Sequence, residues 1–433
     1  MAMSNPLDLS LTNGPIPLAV TAVGCAALLY LCFDRRRVWW TRVLPIALVA
    51  CGLVTAAIAL VVDKVWRPFP EALPKTVLYY LGVVLFGLTI AVARAVPARR
   101  RTRVLVVLAG LAVLVAGLSG INRFYGQYPT TRAALGPLLM DSVDLDKAAP
   151  PVPTEVAVPP GQKLVDVWKR PADLPTEGTL SETDIPSSGG FQPRQAWIYL
   201  PPAYAASPRP RLPVVVLLSG QPGTPRDWLD AGQLAKNLDA FAAAHQGLAP
   251  IVVMADQLGS TMANPMCLDS KLGQVETYLA RDVPRWITQR LQVNEDRGAW
   301  TIAGFSQGGT CAVQLAVRAP SVYAQFIDIS GQREPTLGTR PDTVRAAFGG
   351  DDAAFSKVNP LEVMAKTSFP DTAGMIVAGQ GDREYRPQDQ EVFEACRKSG
   401  MNVQLRELPG ATTGASGDRA CTSRCRGWRP GPG

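Results

Sequence analysis

The sequence predicts an α/β domain, built on a mostly parallel sheet covered by helices, standing behind four membrane-spanning helices. Three observations predict it: four apolar runs in the first third, an alternation of strand-like and helix-like segments in the rest, and the text "GFSQGG" where one such strand meets a helix. Composition agrees with the first. The 433 residues are 47% hydrophobic and only 18% charged, more apolar than an ordinary water-soluble enzyme.

The apolar runs are Ile16 to Phe33, Val43 to Val62, Val77 to Val96 and Val104 to Ile121, with Arg94 the one charge among them. Each has about the 20 residues that a helix rising 1.5 Å per residue needs to cross a hydrocarbon core. Nine arginines fall in two short segments, Arg35, Arg36, Arg37 and Arg42 in the first and Arg94, Arg99, Arg100, Arg101 and Arg103 in the second. Set against Asp34 they carry a net +8, so the rest of a chain whose total is +7 is close to neutral, and no basic surface for nucleic acid is called for. The positive-inside rule places both arginine segments in the cytoplasm and everything after Ile121, with the N-terminus, outside. The opening "MAMSNPLDLSLTNG" has no basic residue and does not resemble a cleavable signal, so the first helix stays as an anchor. Trp39 and Trp40 fall where interfacial aromatics sit.

The expected organisation is a transmembrane region at 1–121, an extracytoplasmic linker at 122–162, a folded domain at 163–410 and an aberrant tail at 411–433. The linker text "DSVDLDKAAPPVPTEVAVPPGQ" is rich in proline and reads as an extended spacer. Beyond it, "LPVVVLLSG", "APIVVMADQ", "AWTIAGFS", "QFIDISG" and "GMIVAGQGD" are nearly continuous in apolar residues, as strands buried on both faces should be. Helical patterns such as "DWLDAGQLAKNLDAFAAA" and "GGTCAVQLAVR" separate them, the signature of a parallel α/β sheet. "TLSETDIPSSGGFQPRQAWIYLPPAY" predicts a strand pair ahead of the parallel part.

In "WTIAGFSQGG", Gly304, Ser306 and Gly308 form a G-x-S-x-G between strand and helix. There the serine occupies a strained turn, the glycines let the backbone pass, and the hydroxyl projects above the carboxyl edge of the sheet as a nucleophile. Acyl transfer also needs two amide donors for the oxyanion, one after the nucleophile and one at an earlier strand end. Gln307 supplies the first, and Gln221, just past "LLSG", is the candidate for the second. For the acid that orients a base, "GQGDREYRPQ" offers Asp382 and Glu384, with Asp382 nearer the strand end and both left open.

Between about Phe191 and Pro409, "YLPPAY", "LLSG", "NPMCLDS", "ETYLARDVPRWI" and "GFSQGG" resemble the esterase-type α/β-hydrolases of actinobacteria, the group that includes the mycobacterial mycolyltransferases. The resemblance implies the α/β-hydrolase fold and the chain order serine, acid, histidine. It also implies an acyl-serine mechanism that hydrolyses carboxylic esters or passes the acyl group to a sugar hydroxyl. In that family the histidine follows the last strand. Here "NVQLRELPG" supplies the strand, but "ATTGASGDRACTSRC" follows, and the one histidine of the chain is His245, at the opposite edge of the expected sheet. Read with codon boundaries displaced by one base, Ala411 to Arg429 can encode "HDWGVWRPGLHKSLPWLA", which restores the histidine. We therefore expect a reading-frame shift near Gly410. As the sequence stands, loss of such a histidine costs on the order of a millionfold in turnover.

Cys267 and Cys311 both fall in the exported domain and can form a disulfide or remain two buried thiols. Cys421 and Cys425 lack a second ligand pair, so no metal or other cofactor is expected. The expected function is a membrane-anchored extracytoplasmic serine esterase or acyltransferase impaired by the missing base, its partners the lipid bilayer, an acyl ester and a glycan acceptor. The alternative is a non-catalytic cell-envelope protein that holds a lipid or glycan in the same cleft. Acyl chain, acceptor and oligomeric state have no signature in the sequence.

Overall fold

The computed structural model describes residues 6–66, 68–69, 72–139 and 142–409, and the chain divides into two compact units, Met1–Leu138 and Leu139–Gly433. In the first unit the apolar runs form four helices, α1 (Pro15–Cys32), α2 (Trp39–Trp66), α3 (Lys75–Ala95) and α4 (Arg100–Tyr125), each long and apolar enough to cross a membrane. Their outer surfaces carry exposed Leu29, Leu53, Val92 and Leu108, a coat that suits lipid better than water. What they bury is a narrow seam. On α4 it runs through Val106, Ala109, Gly110, Val113, Gly117 and Gly120, a spacing of three and four residues that keeps one face toward its neighbours.

Small residues on that seam let the backbones close up. A Cβ on Gly117 would stand 2.2 Å from Val84 Cγ2, and one on Gly24 2.2 Å from the Ala116 Cβ, whereas Gly52 on α2 has nothing within 4 Å. Gly126 ends α4 in the left-handed conformation, at φ 68°.

In the second unit, eight strands among the described residues form one sheet. They are β1 (Thr179–Thr183), β2 (Ala196–Leu200), β3 (Val214–Leu218), β4 (Ile251–Met254), β5 (Trp300–Phe305), β6 (Gln325–Ile329), β7 (Ala373–Gly379) and β8 (Asn402–Leu408). Their order is β1-β2-β4-β3-β5-β6-β7-β8. The pair β1–β2 is antiparallel, as is β2–β4, and every pair from β4 to β8 is parallel. Alternate residues of each strand serve opposite cores. Val214, Val216, Ile302, Phe326 and Ile376 join one cluster, together with Ala312 and Leu315 of helix α7 (Gln307–Arg318), while Leu217, Ala303, Ile327 and Met375 join the other with Leu234 and Leu238 of helix α5 (Leu234–Ala244). From β2 to β7 both faces are dry, which is why those strands read as nearly unbroken apolar text. Helix α6 (Val283–Arg290) packs on the first face with helix α8 (Tyr385–Lys398).

Two segments differ from expectation. "DWLDAGQLAKNLDAFAAA" is not one helix: a turn at Asp227–Asp230 is followed by Gly232 and by Gln233 at φ 45°, and α5 starts only after it. A Cβ on Gly232 would meet the Trp228 carbonyl at 2.6 Å, so the chain turns where only glycine fits. The proline-rich text read as a spacer also lies partly along this unit. Val143 N donates to Leu180 O, Val156 N to Arg209 O and Arg209 N to Thr154 O, and Leu145 is buried in the first core. Proline removes its own donor but leaves neighbouring amides free to pair. The tail at 411–433, and with it the expected frame shift, lies outside the described residues.

The seam predicts a contrast between two glycines. Gly117→Val should overpack α4 against α3 at a cost of about 1–3 kcal/mol, whereas Gly52→Val should change stability by no more than about 0.5 kcal/mol. Thermal unfolding of the full chain in detergent measures both, and equal shifts would contradict the packing.

Candidate active site

Strand β5 delivers Ser306 to the sheet's carboxyl edge, and α7 begins at the next residue. Ser306 has φ 55° and ψ −120°, its amide donates to Ile329 O at 2.8 Å and its carbonyl accepts from Thr310 N at 3.1 Å. So tight a reversal needs glycine around it. A Cβ on Gly304 would lie 2.1 Å from Gly308 O, and one on Gly308 2.4 Å from Leu218 O and 2.5 Å from Ser219 O. Ser306 is half-buried rather than sunk in the core, and it stands at the positive end of a 12-residue helix.

Gln307 and Gln221 come from adjacent strand ends, since Leu218 is in register with Gly304. The Gln221 side chain donates to Met262 O at 2.8 Å. Sequence reasoning missed the residue that ties these two loops together, Gln257. Fully buried just past β4, it donates from Nε2 to Ser219 O at 2.5 Å and to Gln307 Oε1 at 3.0 Å. Gln307 Nε2 in turn donates to Asn264 Oδ1 at 3.2 Å, and Asn264 Nδ2 to Thr336 O at 3.1 Å.

The loop carrying Gln257 is itself anchored on Asp256, which is wholly buried. Its carboxylate accepts from Arg194 N, Nε and Nη2 and from the amides of Leu258 and Gly259. A buried charge with this many donors is compensated. The Cys267 and Cys311 sulfurs are bonded, 2.01 Å apart, and fasten the same region to the second turn of α7.

Asp382 follows β7 by three residues. The pairing Phe305–Ile329–Val377 puts that strand end on the edge that carries Ser306, two strands away. Its Oδ1 accepts from Glu384 N at 3.0 Å and Tyr385 N at 2.9 Å, capping α8, while Glu384 is exposed. A cavity of about 570 Å³ opens beside Asp382, with Arg383, Arg386 and Gln390 in its lining. Strand β8 ends on the same edge, where Gln380 N donates to Leu408 O at 2.9 Å. The family histidine is expected just beyond, outside the described residues. His245 ends α5 before β4 begins, at the opposite edge, exposed and stacked on Phe241 at 3.9 Å. Among the described residues no three His, Cys, Asp or Glu side chains gather to hold a metal.

A second feature escaped the sequence reading. Asp328 of β6 and Asp389 of α8 are both fully buried, and none of their four carboxyl oxygens makes a hydrogen bond of good geometry. Asp328 lies under the first turn of α7, where a Cβ on Gly309 would reach its Oδ1 at 2.3 Å. Burial raises both carboxyls, Asp328 to about 7 and Asp389 to about 10, the latter pushed further by the charges of Asp328 and Asp382, while the Gly331 amide lowers each. Burial and Asp328 also push the neighbouring Cys396 thiol up to about 12.

The sign of the resulting pH dependence is fixed. Unfolded, both aspartates ionise near pH ~4; folded, they hold their protons, so stability falls as pH rises from ~4 through the raised values and levels off above them. Asp389→Asn should flatten that fall and be more stable than the parent at pH 9, as read by thermal unfolding across pH. An unchanged slope would show that the pair is not protonated.

Residues 191–422 match the Esterase family model, described as "Putative esterase". An uncharacterized protein of Corynebacterium glutamicum is 35% identical over 400 residues, covering 90% of this chain and 89% of its own length. Solved structures with a similar second unit include an S-formylglutathione hydrolase from Agrobacterium tumefaciens (19% identity, 59% of this chain and 95% of that one, TM-score 0.48). Another is MPT51 of Mycobacterium tuberculosis (16% identity, 57% and 96%, TM-score 0.41).

Proposed function

Because the chain belongs to the Esterase family, we propose that Ser306 is the nucleophile of a membrane-anchored esterase or acyltransferase, with its hydrolase domain on the extracytoplasmic side. The observation that carries this is the strained turn that holds a half-buried serine at the N-terminus of α7. In the proposed reaction Oγ attacks the ester carbonyl as a base takes its proton, and the amides of Gln307 and Gln221 receive the oxyanion. Collapse releases the alcohol and leaves an acyl-serine. Water or a sugar hydroxyl then takes the acyl group. Asp382 is the acid proposed to orient the base, favoured over Glu384 by its half-buried place nearer the strand end and its two backbone donors. The +8 carried by the two arginine segments supports the orientation.

The base itself is absent from the sequence beyond β8. On this proposal the chain as it stands is impaired, and the shifted reading of residues 411–429 restores it. That absence favours a second reading, a non-catalytic protein that holds a lipid or glycan in the cleft.

A fluorophosphonate probe distinguishes these. The frame-restored chain should be labelled at Ser306, located by peptide mass spectrometry, and Ser306→Ala should abolish labelling. No adduct on the restored chain would overturn the assignment. If the chain as it stands turns over a short-chain ester and Ser306→Ala stops it, the binding-protein reading fails.

A further inference from the structure

Arg94 assembles one end of the four-helix bundle. Its guanidinium donates to the carbonyls of Tyr30 and Leu31 at the end of α1, lies 4.4 Å from the Tyr30 ring centroid and stands 3.9 Å from Asp34. Trp39 Nε1 donates to Cys32 O at 2.8 Å and Trp40 Nε1 to Asp34 O at 2.7 Å. The segment joining α1 to α2 and the segment joining α3 to α4 therefore meet at the same end. Their arginines pool into one field, although some 60 residues separate them in sequence.

Little in the protein neutralises that field. Asp34 is the one carboxylate in either segment, and it pairs with Arg36 at 3.0 Å. Arg103 is occupied with the carbonyls of Ala95, Val96 and Ala98, capping α3. Arg35, Arg37, Arg42, Arg99, Arg100 and Arg101 are all exposed, and none has a carboxylate within ion-pair distance among the described residues. Phe33 and Trp40, also exposed, meet edge to face at 5.8 Å beside them. An amphipathic aromatic pair at the end of an apolar span sits at the depth of lipid headgroups. Six guanidiniums with no carboxylate partner at that depth face the phosphates of the lipids, whose charge is left unbalanced in anionic phospholipids. The guanidinium fork suits that phosphate, binding it through two parallel N–H donors.

We propose that this end of the bundle binds the phosphate headgroups of anionic phospholipids, with Arg99, Arg100 and Arg101 contributed by one segment, Arg35 and Arg37 by the other, and Trp40 at its edge. The binding is independent of the chemistry at Ser306. It rests only on the helices spanning a bilayer.

The test uses the full chain in nanodiscs of phosphatidylcholine mixed with phosphatidylglycerol. Native mass spectrometry should find phosphatidylglycerol retained over phosphatidylcholine by roughly tenfold or more, with the preference weakened by high salt. Arg99→Gln, Arg100→Gln and Arg101→Gln combined should remove most of it, while Arg132→Gln, outside these segments and paired with Asp8, should not. If the triple variant is misfolded in detergent, Arg35→Gln with Arg37→Gln serves in its place. Equal retention of the two lipids, or a preference that survives both sets of substitutions, overturns the proposal. Release of the chain from vesicles by alkaline carbonate would instead show that the helices do not span a bilayer.

Discussion

The second unit is organised around one backbone constraint, the reversal between β5 and α7 at Ser306. A non-glycine residue at φ 55° costs on the order of 1–3 kcal/mol and persists only where its surroundings over-determine it. Here they do. Gly304 and Gly308 approach closer than any side chain would allow, the Ser306 amide is held by Ile329 O, and the Cys267–Cys311 bond fixes the helix that follows. The strain is local, but its support reaches three strand ends, because Gln257 after β4 grips the loop after β3 and the residue after the elbow together.

Buried carboxylates near that turn follow two different solutions. Asp256 is surrounded by Arg194 and two further amides, and it serves as the post to which the Gln257 loop is tied. Asp328 and Asp389 lack such a surround, so burial favours their protonated forms instead. The difference matters for the elbow. A negative charge on Asp328, beneath the first turn of α7, would oppose the positive field of the helix N-terminus at Ser306, and burial disfavours that charge.

Much of this was legible in the sequence because it depends on local pattern. Strands buried on both faces must be apolar throughout, and a strand-to-helix reversal must have glycine beside the serine, so β3 to β7 and the elbow could be read directly. Gln257 could not be, since its meaning lies in two partners 38 and 50 residues away. Asp328 did leave a signal: a lone aspartate inside "QFIDISG", a run otherwise apolar, is a charge placed where only a partner or a proton can make it tolerable. The break before α5 was also signalled, by Gly232, but helical periodicity on both sides masked it. The packing of the proline-rich segment left no local trace, because its hydrogen bonds are to Leu180 and Arg209.

The sheet topology sharpens the problem of the missing base. Parallel strands β5 and β7 send Ser306 and Asp382 to one edge, and β8 ends there at Leu408. His245 precedes a parallel strand and so belongs to the other edge. No rotamer change or loop motion carries a residue through a sheet whose two faces are packed. On the acyl-serine reading the chain therefore lacks a base at the edge of Ser306, since its sequence holds no other histidine.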